Sequence, residues 1–213
     1  MGPTRSRRSW AIPAAPRWSI ATTWRCEGGV GMLGLFFDMR PKPGHMVHYF
    51  EHVDRLKPVL AGHDGLLYLE RFRPLDDPGA LLSHQHWRDE AALSGWRREA
   101  AHRASQAAGR RVHFADYRIR VGAEHAVPEG PGRYVVSASG PAALQAGRGY
   151  ESVTRPGRFL TLAEAATGAQ ARGIAEAARD EGAEAVHVFA VTRDYTLTDR
   201  AEAPLDSRTE MDR

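Results

Sequence analysis

His102 and Gln106 stand four residues apart, and Glu99 stands three before His102, in a stretch whose apolar spacing predicts a helix. Residues at these spacings share a helix face. That face flanks an apolar stripe of Ala92, Leu93, Trp96, Ala100, Ala104 and Ala107. A neutral imidazole takes a proton near neutral pH. Removing a proton from an electron-rich organic molecule leaves an anion that can pass an electron to O₂. His102 is therefore the candidate catalytic base and Gln106 a polar anchor for substrate or oxyanion. Trp96 and Tyr68 are candidate pocket walls that could stack on an aromatic ring. The competing reading is structural: Trp96 is core, and His102 makes the hydrogen bond that any buried polar group needs.

Ten histidines raise the question of a metal. His84 and His86, two apart on a predicted strand, point to one side and are candidate pocket residues. His48 and His52 lie four apart on a predicted helix, near His45. No acidic or cysteine ligand stands at a matching spacing, so scattered surface histidines are the plainer reading and no metal is expected. Cys26 is the sole cysteine, which excludes an internal disulfide framework and sets a cytoplasmic expectation. The chain has no phosphate-binding loop, no dinucleotide fingerprint and no G-x-S-x-G elbow. No cofactor is expected.

A frame must position these residues. The chain has 213 residues, 42% hydrophobic and 26% charged, which suits one large domain or two small ones. No apolar run reaches the roughly 18 residues of a membrane span, so no membrane partner is expected. Residues 1–31 carry a net charge of +4 in a chain whose total is +3, so the body is not a basic nucleic-acid-binding domain. Those residues read as a disordered basic arm. Arg7-Arg8 matches the pair of an export signal, but Pro13, Pro16 and Arg17 break the apolar stretch that should follow. A start at Met32 is a further reading of the arm.

From residue 32 the patterning predicts a strand over 33–39, a helix over 44–61 and strands over 66–72 and 80–87. A helix capped by Asp89 and ending at Gly109 follows, then a strand over 112–123. This β-α-β-β-α-β order is the ferredoxin-like unit, whose sheet has one face covered by helices and one bare. After a linker over 128–132, strands are predicted over 133–139, 149–155 and 158–162, a helix over 168–181 and a strand over 184–195. These read as an eroded second copy, its first helix reduced to a few residues near 141–145. The expected fold is α+β: tandem ferredoxin-like units with antiparallel sheets, over 32–124 and 132–195, pairing their bare faces into a barrel-like core. A polar tail spans 196–213.

Several stretches add a resemblance. They are Gly65-Leu-Leu-Tyr-Leu-Glu-Arg-Phe72, Asp77-Pro-Gly-Ala-Leu-Leu82, Trp87-Arg-Asp-Glu-Ala-Ala92, Trp96-Arg97, His102-Arg-Ala-Ser-Gln106 and Phe114-Ala-Asp-Tyr-Arg-Ile-Arg-Val121. In kind and order they resemble the antibiotic biosynthesis monooxygenase family of the dimeric α/β-barrel superfamily, over about residues 32–124. Arg193-Asp-Tyr195, Asp199-Arg200 and Ala203-Pro204 are similar to the segment that follows the last strand in longer members. The second copy lacks equivalents of Trp96, His102 and Gln106 and reads as structural.

The resemblance implies a cofactor-independent monooxygenase acting on an aromatic or quinol-like small molecule with O₂, without nucleic acid. A homodimer is one way to cover the surface left by the second copy's lost helix. The alternative is a non-enzymatic binding or interaction protein of the same fold. A side-chain-filled space between helices and sheet would favour that alternative, whereas convergence of His84, His86 and His102 on one pocket would favour chemistry. Haem degradation is the weaker expectation. In those relatives the iron-ligating histidine lies about ten positions after a helix tryptophan, where this chain has Gln106. They also carry a first-strand asparagine, and this chain has no asparagine.

Overall fold

Alternation along β1 (Leu33–Pro41) sends Phe36 to one face and Leu33, Phe37 and Met39 to the other, and both faces pack into apolar clusters. β2 (Leu66–Pro74) and β3 (Leu81–Trp87) repeat this two-sided pattern, while β4 (Phe114–Ala123) is apolar on the face of Tyr117, Ile119 and Val121 and sets the buried Arg120 over the Phe36 ring on the other, so the sheet needs cover on both sides. One cover is α1 (Met46–Ala61), α2 (Glu90–Arg98) and α3 (Ala100–Ala108). The other is the second half of the chain: β5 (Pro131–Gly140), β6 (Arg148–Ser152), β7 (Phe159–Thr167), α4 (Gly168–Asp180) and β8 (Ala185–Thr196).

The structure, a computed structural model, describes residues 31–124 and 129–204. The expected arm, apart from Gly31, and the tail beyond Pro204 lie outside the described residues. Eight strands close into one antiparallel barrel in the order β1-β3-β2-β6-β7-β5-β8-β4. The halves meet at two seams, β2 with β6 and β4 with β8, which leaves no open edge. Phe36, Phe72, Leu82, Tyr150, Leu160 and Phe189 fill the interior. Phe189 fits because two neighbours are glycine. A Cβ on Gly34 would lie 2.8 Å from its ring, and one on Gly122 2.9 Å from its Cβ.

The expected element order is present, with local differences. The helix expected up to Gly109 breaks at Glu99 (φ −55°, ψ 128°). The Glu99 N–H donates to the carbonyls of Gly95 and Trp96, closing α2, while its carboxylate accepts from the Ala101 N–H and opens α3. The chain then continues through a π-helical turn, Gly109–His113, so β4 begins at Phe114. β7 runs to Thr167, beyond the expected 162, although alanine is a poor strand former. Its Ala163 and Ala165 let Ala171 and Ala175 of α4 come close, and that packing overrides propensity. No helix stands between β5 and β6; there the Leu144 N–H donates to Thr161 Oγ1 at 2.9 Å. β6 ends at Ser152, short of the expected 155. The start of the tail folds back: the Leu197 N–H donates to the Tyr117 carbonyl at 3.1 Å, and Ala203 is buried.

Candidate active site

The helices do not seal against the outer face of β1–β4. Between them lies a cavity of about 200 Å³. Strand alternation assigns its floor: Leu35 and Phe37 from β1, Leu69 and Arg71 from β2, Ser83 and Gln85 from β3, Tyr117, Ile119 and Val121 from β4. The roof is Tyr49, His52, Val53 and Leu56 of α1, Leu93 and Trp96 of α2, and His102, Ser105 and Gln106 of α3. β8 adds a wall. A register shift pairs Arg193 with Val121 but Val191 with Gly122, and this bulge turns Arg193 and Tyr195 outward into the cavity. Arg200 and Pro204 of the tail complete the lining.

His102 is held on two sides. Its ring stacks on Trp96 with centroids 4.3 Å apart and planes 16° apart. Its Nδ1 lies 2.9 Å from the Trp96 carbonyl oxygen, so Nδ1 carries the proton and donates. Nε2 has no hydrogen-bond partner among the described residues and keeps its lone pair. Burial lowers the imidazole pKa to about 4, against the opposing pull of the Trp96 carbonyl. The ring is therefore neutral at physiological pH. The helix break makes this arrangement: in a continuous helix a residue six positions on cannot lie flat against Trp96. The same break removes Glu99 from the face predicted to carry it with His102 and Gln106, and Glu99 does not line the cavity.

The six residues picked from the sequence divide between two places. Trp96, His102 and Gln106 line the cavity. Tyr68, His84 and His86 occupy the opposite face of the sheet, inside the barrel. His84 stacks on Phe36 at 4.7 Å, its Nε2 lies 3.1 Å from Nε2 of His86, and the His86 ring lies 4.9 Å from that of Tyr68. The Tyr68 hydroxyl donates to Glu70 Oε2 at 2.7 Å. Burial pushes the Tyr68 pKa up to about 12 and the His84 pKa down to about 3, and it holds His86 well below the usual histidine value. The expected sharing of a side by His84 and His86 is present, but it is not the side that His102 faces.

His45, His48, His52 and His113 gather near the cavity rim, with His45 Nδ1 and His113 Nδ1 3.0 Å apart. No group of three or more histidine, cysteine, aspartate or glutamate side chains among the described residues is arranged to hold a metal ion. Sequence reasoning missed Arg71, Tyr49, Ser83 and Gln85 of the lining. It also assigned the second half a purely structural part, although Arg193, Tyr195, Arg200 and Pro204 reach the cavity. A signal existed for these last four, since the stretch 193–204 had stood out in the resemblance.

The fold is an antiparallel α/β barrel with a mostly apolar, helix-roofed cavity lined by His52, His102 and His113. Residues 32–108 match the family model described as antibiotic biosynthesis monooxygenase, and this part of the chain is a domain of that family. The jasmonate monooxygenase ABM of Pyricularia oryzae is 28% identical over 215 residues, covering 81% of this chain and 97% of that protein. Among solved structures, a Pseudomonas aeruginosa protein is 19% identical over 45% of this chain and 96% of its own, with a TM-score of 0.40. An aldoxime dehydratase is 10% identical over 86% of this chain and 96% of its own, with a TM-score of 0.48. No helix among the described residues is long and apolar enough to cross a membrane.

Proposed function

We propose that the cavity is the substrate site of a cofactor-independent monooxygenase acting on a small aromatic or quinol-like molecule, with His102 as the base. The strand orders β4-β1-β3-β2 and β8-β5-β7-β6 are read as two ferredoxin-like units, the second without its first helix. The observation that carries the functional reading is the His102 imidazole. Its Nδ1–H is anchored on a backbone carbonyl, its Nε2 is free, and it lines a cavity whose walls include no carboxylate. A named jasmonate monooxygenase among the relatives supports oxygenase chemistry on a small molecule.

Nε2 takes a proton from substrate. The substrate anion gives one electron to O₂, and the resulting radical and superoxide combine into a hydroperoxide that recovers the proton. Loss of the second hydrogen from that carbon, with O–O cleavage, leaves a carbonyl and water. Proton transfer from a phenol of ordinary pKa to an imidazole of pKa about 4 is uphill by about 8 kcal/mol. The basic lining offsets this by stabilising the anion. The size of the cavity favours one ring with a side arm, because a cavity of about 150 Å³ already holds a benzene.

The test is O₂ consumption by metal-stripped protein with single-ring hydroquinones, beside His102→Ala and His102→Gln. Loss of about 100-fold or more in turnover is expected, with far-UV circular dichroism unchanged. The wild-type pH profile should show no inflection near 6.5 and should stay flat below that value for as long as the protein remains folded. Unchanged turnover in both variants would refute the base assignment. The flat stacking of His102 on Trp96 also suits a non-enzymatic binding protein, and such a protein would bind ligand without consuming O₂.

A further inference from the structure

We propose that Arg71 is the counter-charge for a carboxylate, so that the ligands of this cavity are small lipophilic monocarboxylic acids; the inference rests on reading the cavity as the substrate site. The lining contains Lys57, Arg71, Arg97, Arg110, Arg193 and Arg200 and no aspartate or glutamate. Lys57 is paired with Asp54 at 2.9 Å. Arg193 and Arg97 share Glu90, at 2.7 and 3.8 Å. Arg200 donates to the Tyr117 hydroxyl.

Arg71 differs from these. Among the described residues it makes no ion pair, and its side chain makes one hydrogen bond, from Nε to the Tyr49 hydroxyl at 2.9 Å. Tyr49 is buried, so this bond fixes the plane of the guanidinium. It also leaves both terminal amino groups free, and these are the edge that grips a carboxylate through two parallel bonds. A half-buried cation without a counter-charge is unfavourable, and an anion entering the cavity relieves that cost. Val53, Leu56, Leu69 and Ile119 would take the apolar body of the same ligand. A neutral quinol leaves Arg71 without its counter-charge, whereas a ring bearing an acidic arm supplies it.

The test is calorimetric binding under argon with two matched pairs, jasmonic acid and its methyl ester, and 4-phenylbutanoate and its methyl ester. In the wild-type protein each acid should bind about tenfold or more tightly than its ester, and added salt should weaken the acids alone. Arg71→Gln should cost the acids about 10- to 100-fold and leave the esters unchanged, with Arg71→Lys between. Thermal melts of both variants check the fold. Equal binding of acid and ester, binding of neither acid, or an equal loss for acid and ester in Arg71→Gln would overturn the proposal. Because no turnover is needed, acid binding without O₂ uptake would sink only the oxygenase reading. Uptake with neutral quinols that ignores Arg71→Gln would sink only this one.

Discussion

The buried histidines should make this protein unusually sensitive to mild acid. His84 and His86 sit inside the barrel at 3% and 8% exposure, and His102 is packed under Trp96. Burial lowers the pKa of all three, to about 3 for His84 and about 4 for His102. In the unfolded chain each titrates near 6.5. Below that value the unfolded state binds protons that the folded state refuses. Stability is therefore complete above pH 6.5 and declines as pH falls toward the folded-state values. At pH 5 His84 and His102 each cost about 2 kcal/mol relative to pH 8, about 4 kcal/mol together, and His86 acts in the same direction. That is a large part of the stability of an ordinary domain. Carboxylates with lowered values, such as Asp194, lose their contribution only at lower pH and do not enter this window. The assay is urea unfolding at pH 8, 7, 6 and 5, followed by far-UV circular dichroism, for wild type and His84→Gln. The variant removes one titrating group, so the fall between pH 8 and pH 5 should shrink by about 2 kcal/mol, whatever the substitution costs at pH 8. Equal falls in the two proteins, or a flat wild-type profile, would refute the picture of histidines held neutral by burial.

Two further stability predictions test the barrel. Gly34→Ala places a methyl group 2.8 Å from the Phe189 ring and should cost about 1–3 kcal/mol in urea unfolding. Gly173→Ala, on an exposed helix position with open space around it, should instead add about 0.5–1 kcal/mol; a Gly34→Ala protein as stable as wild type or more so would refute the crowding at Phe189. Glu70 is buried at the seam between β2 and β6, where it accepts from the Tyr68 and Ser152 hydroxyls and pairs with Arg155. Glu70→Ala should lower stability by about 3 kcal/mol, and a loss below about 1 kcal/mol would mean the seam stands without it.

Much of the architecture was legible in the chain. Apolar periodicity, the Asp89 cap and the glycine-rich turns gave the order of elements, because each of these signals is local. Trp96, His102 and Gln106 could be grouped because they lie within eleven residues on one predicted helix. The break at Glu99 was not legible, since glutamate is a good helix former and nothing in its neighbours marks a stop. It forms because two helix ends find their partners in one residue, and the His102–Trp96 stack depends on it.

Period two in β2 and β3 was enough to group Tyr68 with Glu70 and His84 with His86, and to separate them from Arg71, Ser83 and Gln85. It could not say which group faced the helices. In a sheet with one wet face the polar residues would have pointed outward and settled the matter. Here both faces are covered, one by helices and one by the second half of the barrel, and each carries polar and apolar side chains. Only closure of the barrel decided that His84 and His86 went inside and that Arg71 met the cavity. The β8 bulge and the folded-back tail added Arg193, Tyr195, Arg200 and Pro204 to the same wall, by contacts across about eighty residues of chain that no local pattern encodes.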